Sequence, residues 1–212
     1  MVIMMNKAEA VKITGGLTYT DKMPCSSYSI PAQKCGVGTK LRGVKGSVCS
    51  KCYALRGRYG FPVVKNKLWE RYNSLENPKW VSSMVFLIKN EKNDYFRWHD
   101  SGDLQSEDHL KKICKICEKT PEVTHWLPTR EYYIVQQYIE KGNKIPPNLV
   151  IRLSSFMIDG KAPEDLAKRI NVQVSGVGKD SYTCPAHKQG NMCRECRSCW
   201  NKDVFNVTYK LH

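Results

Sequence analysis

After residue 90 the chain repeats one pattern, and that pattern limits its fold more than any other feature. An apolar or aromatic run ends in polar residues and a helical stretch follows. "DYFRWHDSGD" leads into 106–118, "VTHWLPTRE" into 131–141, "NLVIRLSSF" into a helix starting near Pro163 (163–169), and "NVQVSGVGK" comes next. Strand starts lie roughly 23–28 residues apart, the length of one strand–helix unit, with "NKIPPN" punctuating one return. Strands that alternate with helices at this spacing pair in parallel, because each return must cross the sheet. The expected fold class is α/β. It is a parallel sheet, open or curled into a reduced or partial TIM-like β/α barrel, with cysteine-rich metal-binding segments. The whole chain, 1–212, reads as a single domain, with a basic cysteine-containing segment at 20–75, a β/α repeat core at 90–180 and a C-terminal cysteine metal knot at 181–212.

In such folds the site lies at the C-terminal ends of the strands. Those ends carry Asp100, Ser101 and Asp103 in "HDSGD", Arg130 in "LPTRE", and Arg152 in "RLSSF". Asp100 and Asp103, three residues apart on one turn, are the candidate catalytic pair, since crowding can raise one pKa to suit acid–base work. Ser101, Arg130, Arg152, Gln173 and Trp98 are candidate substrate contacts. The arginines suit a phosphate or carboxylate, and Gln173 a base edge. The bland reading of "HDSGD" is a turn with a helix cap. Asp159 and Asp180 are reserve carboxylates, and His99 and His125 read as packed strand residues.

Charge points to the partner. Lys and Arg number 34 against 20 Asp and Glu, a net +14, which favours a polyanion. From Lys34 to Arg71 ten basic residues face one acid, Glu70, with aromatics interleaved. Lys40, Arg42, Lys45, Lys51, Arg56 and Arg58 are the expected nucleic-acid contacts, DNA in the reading given below. The N-terminal "MVIMMNKAEAVK" has too short an apolar run for a signal peptide, and no later window approaches a membrane span, so a cytoplasmic protein is expected.

Ten cysteines in a reducing compartment then read as metal ligands before disulfides. Cys193, Cys196 and Cys199 follow one another at two-residue gaps, and Cys184 can close a four-sulfur site. Zinc is the expected ion, with an iron–sulfur cluster as the alternative for the same spacing. Cys25, Cys35, Cys49 and Cys52 form a looser possible second site. Cys114 and Cys117 sit on a helix with Leu110 and Ile113 and read as core.

"DSGDLQS" and "LPTR" resemble two strand-end stretches of the tRNA-guanine transglycosylases, and the C-terminal cysteines resemble that family's zinc site. The combination of "PCSSYSIPAQKC", "GSVCSKCYALRGRY", "RWHDSGDL", "PTR" and "CPAHKQGNMCRECRSCW" is similar to small phage DNA-guanine transglycosylases. That resemblance implies an enzyme that exchanges guanine in double-stranded DNA for a 7-deazaguanine base in an infected host cell, through a covalent aspartyl–sugar intermediate. Asp103 stands where the tRNA enzymes have a second glycine, and "VTHWL" lacks the carboxylate they carry there, so which aspartate attacks stays open. The residues without the resemblance also accommodate an iron–sulfur enzyme acting on nucleic acid, a metal-dependent nuclease and a zinc-stabilised DNA-binding module.

Overall fold

The computed structural model describes residues 5–211; positions 1–4, the start of the N-terminal apolar run, lie outside it. Six strands form one parallel sheet in sequential order: β1 (Ser27–Tyr28), β2 (Tyr95–Trp98), β3 (Thr124–Thr129), β4 (Leu149–Ser154), β5 (Gln173–Gly178) and β6 (Asn206–Lys210). The helices are α1 (Lys7–Thr14), α2 (Gly36–Leu41), α3 (Pro62–Ser74), α4 (Trp80–Asn90), α5 (Glu107–Lys119), α6 (Tyr132–Glu140) and α7 (Glu164–Arg169). The expected β/α units of 90–180 are present, and two edge strands join them. The basic segment supplies β1 and the cysteine-rich C-terminus supplies β6, so neither is only an appendage. Among the described residues no helix is long and apolar enough to cross a membrane.

The two faces of the sheet have different partners. Phe96, Trp98, Leu127, Leu149, Ile151, Leu153 and Val174 pack with residues of α4, α5 and α6 in the main core. The alternation of a strand sends Trp126 and Val207 to a second cluster with Cys25, Cys199 and Trp200. The C-terminal cysteine segment is therefore covered by the sheet on one side.

A proline shapes the C-terminal end of the sheet. Thr124 donates its N–H toward β2 (to Asp94 O, 2.8 Å) and His125 toward β4 (to Asn148 O, 2.7 Å). By that alternation the N–H that Pro128 lacks would have faced β2 near Trp98. The ladder between β2 and β3 ends at Arg97–Trp126, which frees the next residues of β2 to turn away.

Candidate active site

The "HDSGD" turn leaves β2 through two left-handed residues, His99 at φ +53° and Gly102 at φ +84°. Only glycine fits the second position: a Cβ on Gly102 would lie 2.3 Å from Ile30 Cγ1 and 2.7 Å from the Ile30 carbonyl. Ser101 is buried and its hydroxyl donates to that same carbonyl at 3.0 Å. Contrary to expectation, Ser101 fastens the turn to the loop after β1 and does not face a substrate.

Asp100 is held by three side chains. Arg97 Nη1 donates to its Oδ1 at 3.0 Å, the Tyr59 hydroxyl donates to its other oxygen, and the Tyr53 hydroxyl donates to its carbonyl. Burial alone would lower the Arg97 pKa, but Asp100 beside it more than offsets this and keeps the guanidinium charged. Arg97 also lies 4.6 Å over the Trp126 ring. Burial, and then the charge of Asp100, pushes the Tyr59 hydroxyl up, so it remains a donor.

Asp103 is buried, and three donors converge on it: Thr129 Oγ1 (2.6 Å) and Leu104 N–H (2.8 Å) to Oδ1, and Arg130 N–H (2.9 Å) to Oδ2. Burial raises its pKa to about 6, against the three hydrogen bonds, which lower it, and with the nearby negative Glu131, which raises it. Between its ordinary pKa near 4 and 6 the folded protein holds a proton that the unfolded chain has released, so stability falls as pH rises through that window. The loss attributable to Asp103 is about 3 kcal/mol. A carbon-13 NMR titration should find its carboxyl midpoint near 6; a midpoint at or below 4 would contradict this environment.

The structure adds a residue the sequence reading left unassigned. Glu131, directly after Arg130, is buried and its Oε1 accepts the Val37 N–H at 2.8 Å. Its two oxygens stand 3.2 and 3.3 Å from where a Cβ on Gly36 would be, so the first turn of α2 seats on this carboxylate. The only sequence signal was an acid at a strand end, in "PTRE".

The basic segment covers this end of the sheet. Val37 meets the loop after β3, Tyr53 and Tyr59 meet Asp100 after β2, and Val48 N–H donates to Phe156 O (2.9 Å) after β4. Of the expected DNA contacts, Lys40, Lys45, Lys51, Arg56 and Arg58 are exposed on this cover. Arg42 is half-buried and one Nη donates to the Ala32 carbonyl. Two open clefts, of about 550 and 520 Å³, lie elsewhere: one between α1 and α3, the other at the N-terminal ends of β4 and β5.

Arg130 stands at the covered end. Its Nε donates to Ser155 O at 3.1 Å, and its Nη atoms have no protein hydrogen-bond partner among the described residues. Arg152 is a correction. It is fully buried within β4, and its guanidinium makes five hydrogen bonds to main-chain carbonyls, those of Val174, Ser198, Cys199, Asn201 and Phe205. It has no donor left for a substrate and ties the C-terminal segment to the sheet. Gln173 begins β5, at the opposite end of the strands, where it donates to Lys202 O at 3.2 Å. Trp98 is fully buried against Phe96 (4.9 Å between centroids), Trp80 and Tyr28, so it cannot face a base. Asp159 is exposed and paired with Lys179, and Asp180 is exposed.

The cysteines divide differently from the expected four and four. Cys25 lies on the sheet face with Cys184 and Cys199. The C-terminal segment is pinned by Cys184 N–H to Thr208 O (2.9 Å) and Cys193 N–H to Lys22 O (3.0 Å), which explains how "PCSSY" and the C-terminal cysteines meet. Cys35, Cys49 and Cys52 stay together in the cover. Among the described residues no group of three or more His, Cys, Asp and Glu side chains is placed to hold a metal ion. Cys114 and Cys117 are buried in the main core.

The sequence model of one family, described as Gene product 88, matches residues 2–202. No curated protein and no solved structure gives a significant match. Because the family match spans nearly the whole chain, strand ends and cover included, this protein belongs to the Gene product 88 family.

Proposed function

We propose that this protein exchanges guanine in double-stranded DNA for a 7-deazaguanine base, acting in the cytoplasm of an infected host cell. The observation that carries the reading is the joint between the basic segment and the carboxylates. Tyr53 and Tyr59 leave a stretch rich in Lys and Arg and hydrogen-bond to Asp100. A polyanion that engages Lys51, Arg56 and Arg58 thus pulls on the hydrogen bonds of the reacting carboxylate. The sequential strand order supports a sheet that curls as part of a reduced barrel, with that carboxylate at its C-terminal rim.

Base exchange needs a carboxylate to attack the sugar while guanine leaves, then an incoming base to displace the resulting ester. Asp100 suits the attack, since Arg97 keeps a positive charge against it. Asp103, with its pKa near 6, suits holding and releasing a proton close to neutral pH. Arg130 offers free N–H donors to a phosphate or a base. The thiols of Cys184, Cys193, Cys196 and Cys199 are a donor set that suits a structural zinc ion. They come from a short segment already tied to β6 and to Lys22.

Nucleoside mass spectrometry on duplex DNA incubated with the purified protein and 7-cyano-7-deazaguanine tests the reading. A new deazaguanine deoxynucleoside in uncut DNA is expected. Unmodified DNA would overturn the exchange, and magnesium-dependent cleavage would put the nuclease reading in its place. The exchange should also weaken steeply between 50 and 200 mM salt, by roughly 10³-fold if six phosphates are contacted; a rate indifferent to salt would argue against the basic cover as the DNA contact.

A further inference from the structure

Cys35, Cys49 and Cys52 have no structural task that the fold explains. Cys35 immediately precedes α2, and Cys49 lies in the 3-10 turn Val48–Lys51, closed by the Cys52 N–H donating to Cys49 O at 3.2 Å. Side chains three apart in such a turn eclipse one another, so Cys49 and Cys52 share a side. Gly38 lets the two elements approach: a Cβ there would stand 2.9 Å from Cys35 Cβ, 3.5 Å from Cys49 Sγ and 3.7 Å from Cys35 Sγ. The sulfurs of Cys35 and Cys49 are therefore no more than 7.2 Å apart, the sum of 3.5 and 3.7. All three are half-buried in the cover, none forms a disulfide, and Cys25, the expected fourth ligand, is on the sheet face with the C-terminal set.

We propose that Cys35, Cys49 and Cys52 ligate an iron–sulfur cluster at the covered strand ends, and that one iron lacks a protein ligand and is open to a small anionic donor. Among the described residues no three such side chains are gathered closely enough to hold a single ion. A single tetrahedral zinc at 2.3 Å from each sulfur would draw the thiolates to about 4 Å from one another. A cluster binds each cysteine through a different iron and spans a wider set. Among the described residues no histidine offers a fourth ligand: His99, His109 and His125 are buried beneath the sheet's end and in the core, and His187 belongs to the C-terminal segment. A three-ligand site keeps a position for something else, which is how catalytic metal centres differ from structural ones. Arg130, with its free Nη atoms, and Arg42 both act on Cys49 and favour an anionic donor there, with the Asp103 carboxylate acting against them. The inference does not rest on base exchange; it concerns what the cover holds.

The full-length protein, reconstituted anaerobically with ferrous iron and sulfide, should become brown and bind iron and sulfide. After reduction, its paramagnetic resonance spectrum should shift on addition of cyanide, the probe for an open iron. Cys52→Ser and the triple variant C35S/C49S/C52S should lose the cyanide-sensitive signal while far-ultraviolet circular dichroism stays that of wild type. Cys196→Ser, in the C-terminal set, should keep it. If the triple variant misfolds, Cys52→Ser against Cys196→Ser decides alone. A colourless protein that takes up zinc but no iron, a signal indifferent to cyanide, or a signal lost with Cys196→Ser and retained with Cys52→Ser would each overturn the proposal.

Discussion

Asp100→Asn should lower deazaguanine incorporation roughly 10⁴-fold, the scale on which a nucleophile's loss is felt. The substitution keeps the size of the side chain and removes the charge proposed to attack. It also puts an amide against two donors, since Arg97 and Tyr59 both give hydrogen bonds to the carboxylate. Arg97 is then a charge with little water around it and no counter-ion, which costs about 1–3 kcal/mol of stability. Activity and stability must therefore be read separately. The informative comparison is Tyr59→Phe, which removes one donor to Asp100 and leaves the charge pair intact. It should unfold at nearly the wild-type urea concentration and keep measurable exchange. Wild-type rates from Asp100→Asn, with the fold intact, would remove Asp100 from the chemistry and leave Asp103 and Glu131 as the remaining carboxylates at this end of the sheet.

Arg152→Met should destabilise the protein by about 3–5 kcal/mol, the range for breaking a buried charged network by deleting one member. Methionine fills the volume of the arginine stem but offers no donor. Five carbonyls, from β5 and from 198–205, would lose their partner together, and each buried acceptor left without a donor costs on the order of 1–3 kcal/mol before relaxation. Because three of them lie in 198–201, the cysteine segment should loosen before the rest of the sheet. Urea unfolding measures the total, and amide exchange of Cys199 and Trp200 locates it. A shift below about 1 kcal/mol would mean that water replaces the guanidinium at little cost, and would remove Arg152 as the clamp of the C-terminal segment.

The strand–helix units between 90 and 180 were legible because their signal is local. The expected helices at 106–118, 131–141 and 163–169 correspond to Glu107–Lys119, Tyr132–Glu140 and Glu164–Arg169, each within a residue or so at its ends. β1 and β6 were not legible. β1 is two residues long, and "NVTYK" follows a cysteine-rich stretch whose metal-like spacing hides an edge strand. Asp100, Asp103 and Arg130 could be placed at the strand ends for the same local reason. Glu131 was overlooked because its meaning depends on Val37 and Gly36, nearly a hundred residues away.

Arg152 shows the limit most clearly. At a strand end beside serines it looks like an anion ligand, and only the fold reveals that carbonyls of β5 and of 198–205 already occupy it. Trp98 and Gln173 erred for a related reason: sequence places a residue along a strand but does not reveal what packs over it. The sequence by itself determined the parallel α/β class, the strand ends and the basic charge of the covering segment, because periodicity, turn chemistry and net charge act over a few residues. Only the tertiary structure decided that the cover hydrogen-bonds to Asp100, that Cys25 joins the C-terminal cysteines, and that Cys35, Cys49 and Cys52 remain as a group of three. Those outcomes depend on contacts between segments tens of residues apart, which form only once the sheet has brought them together.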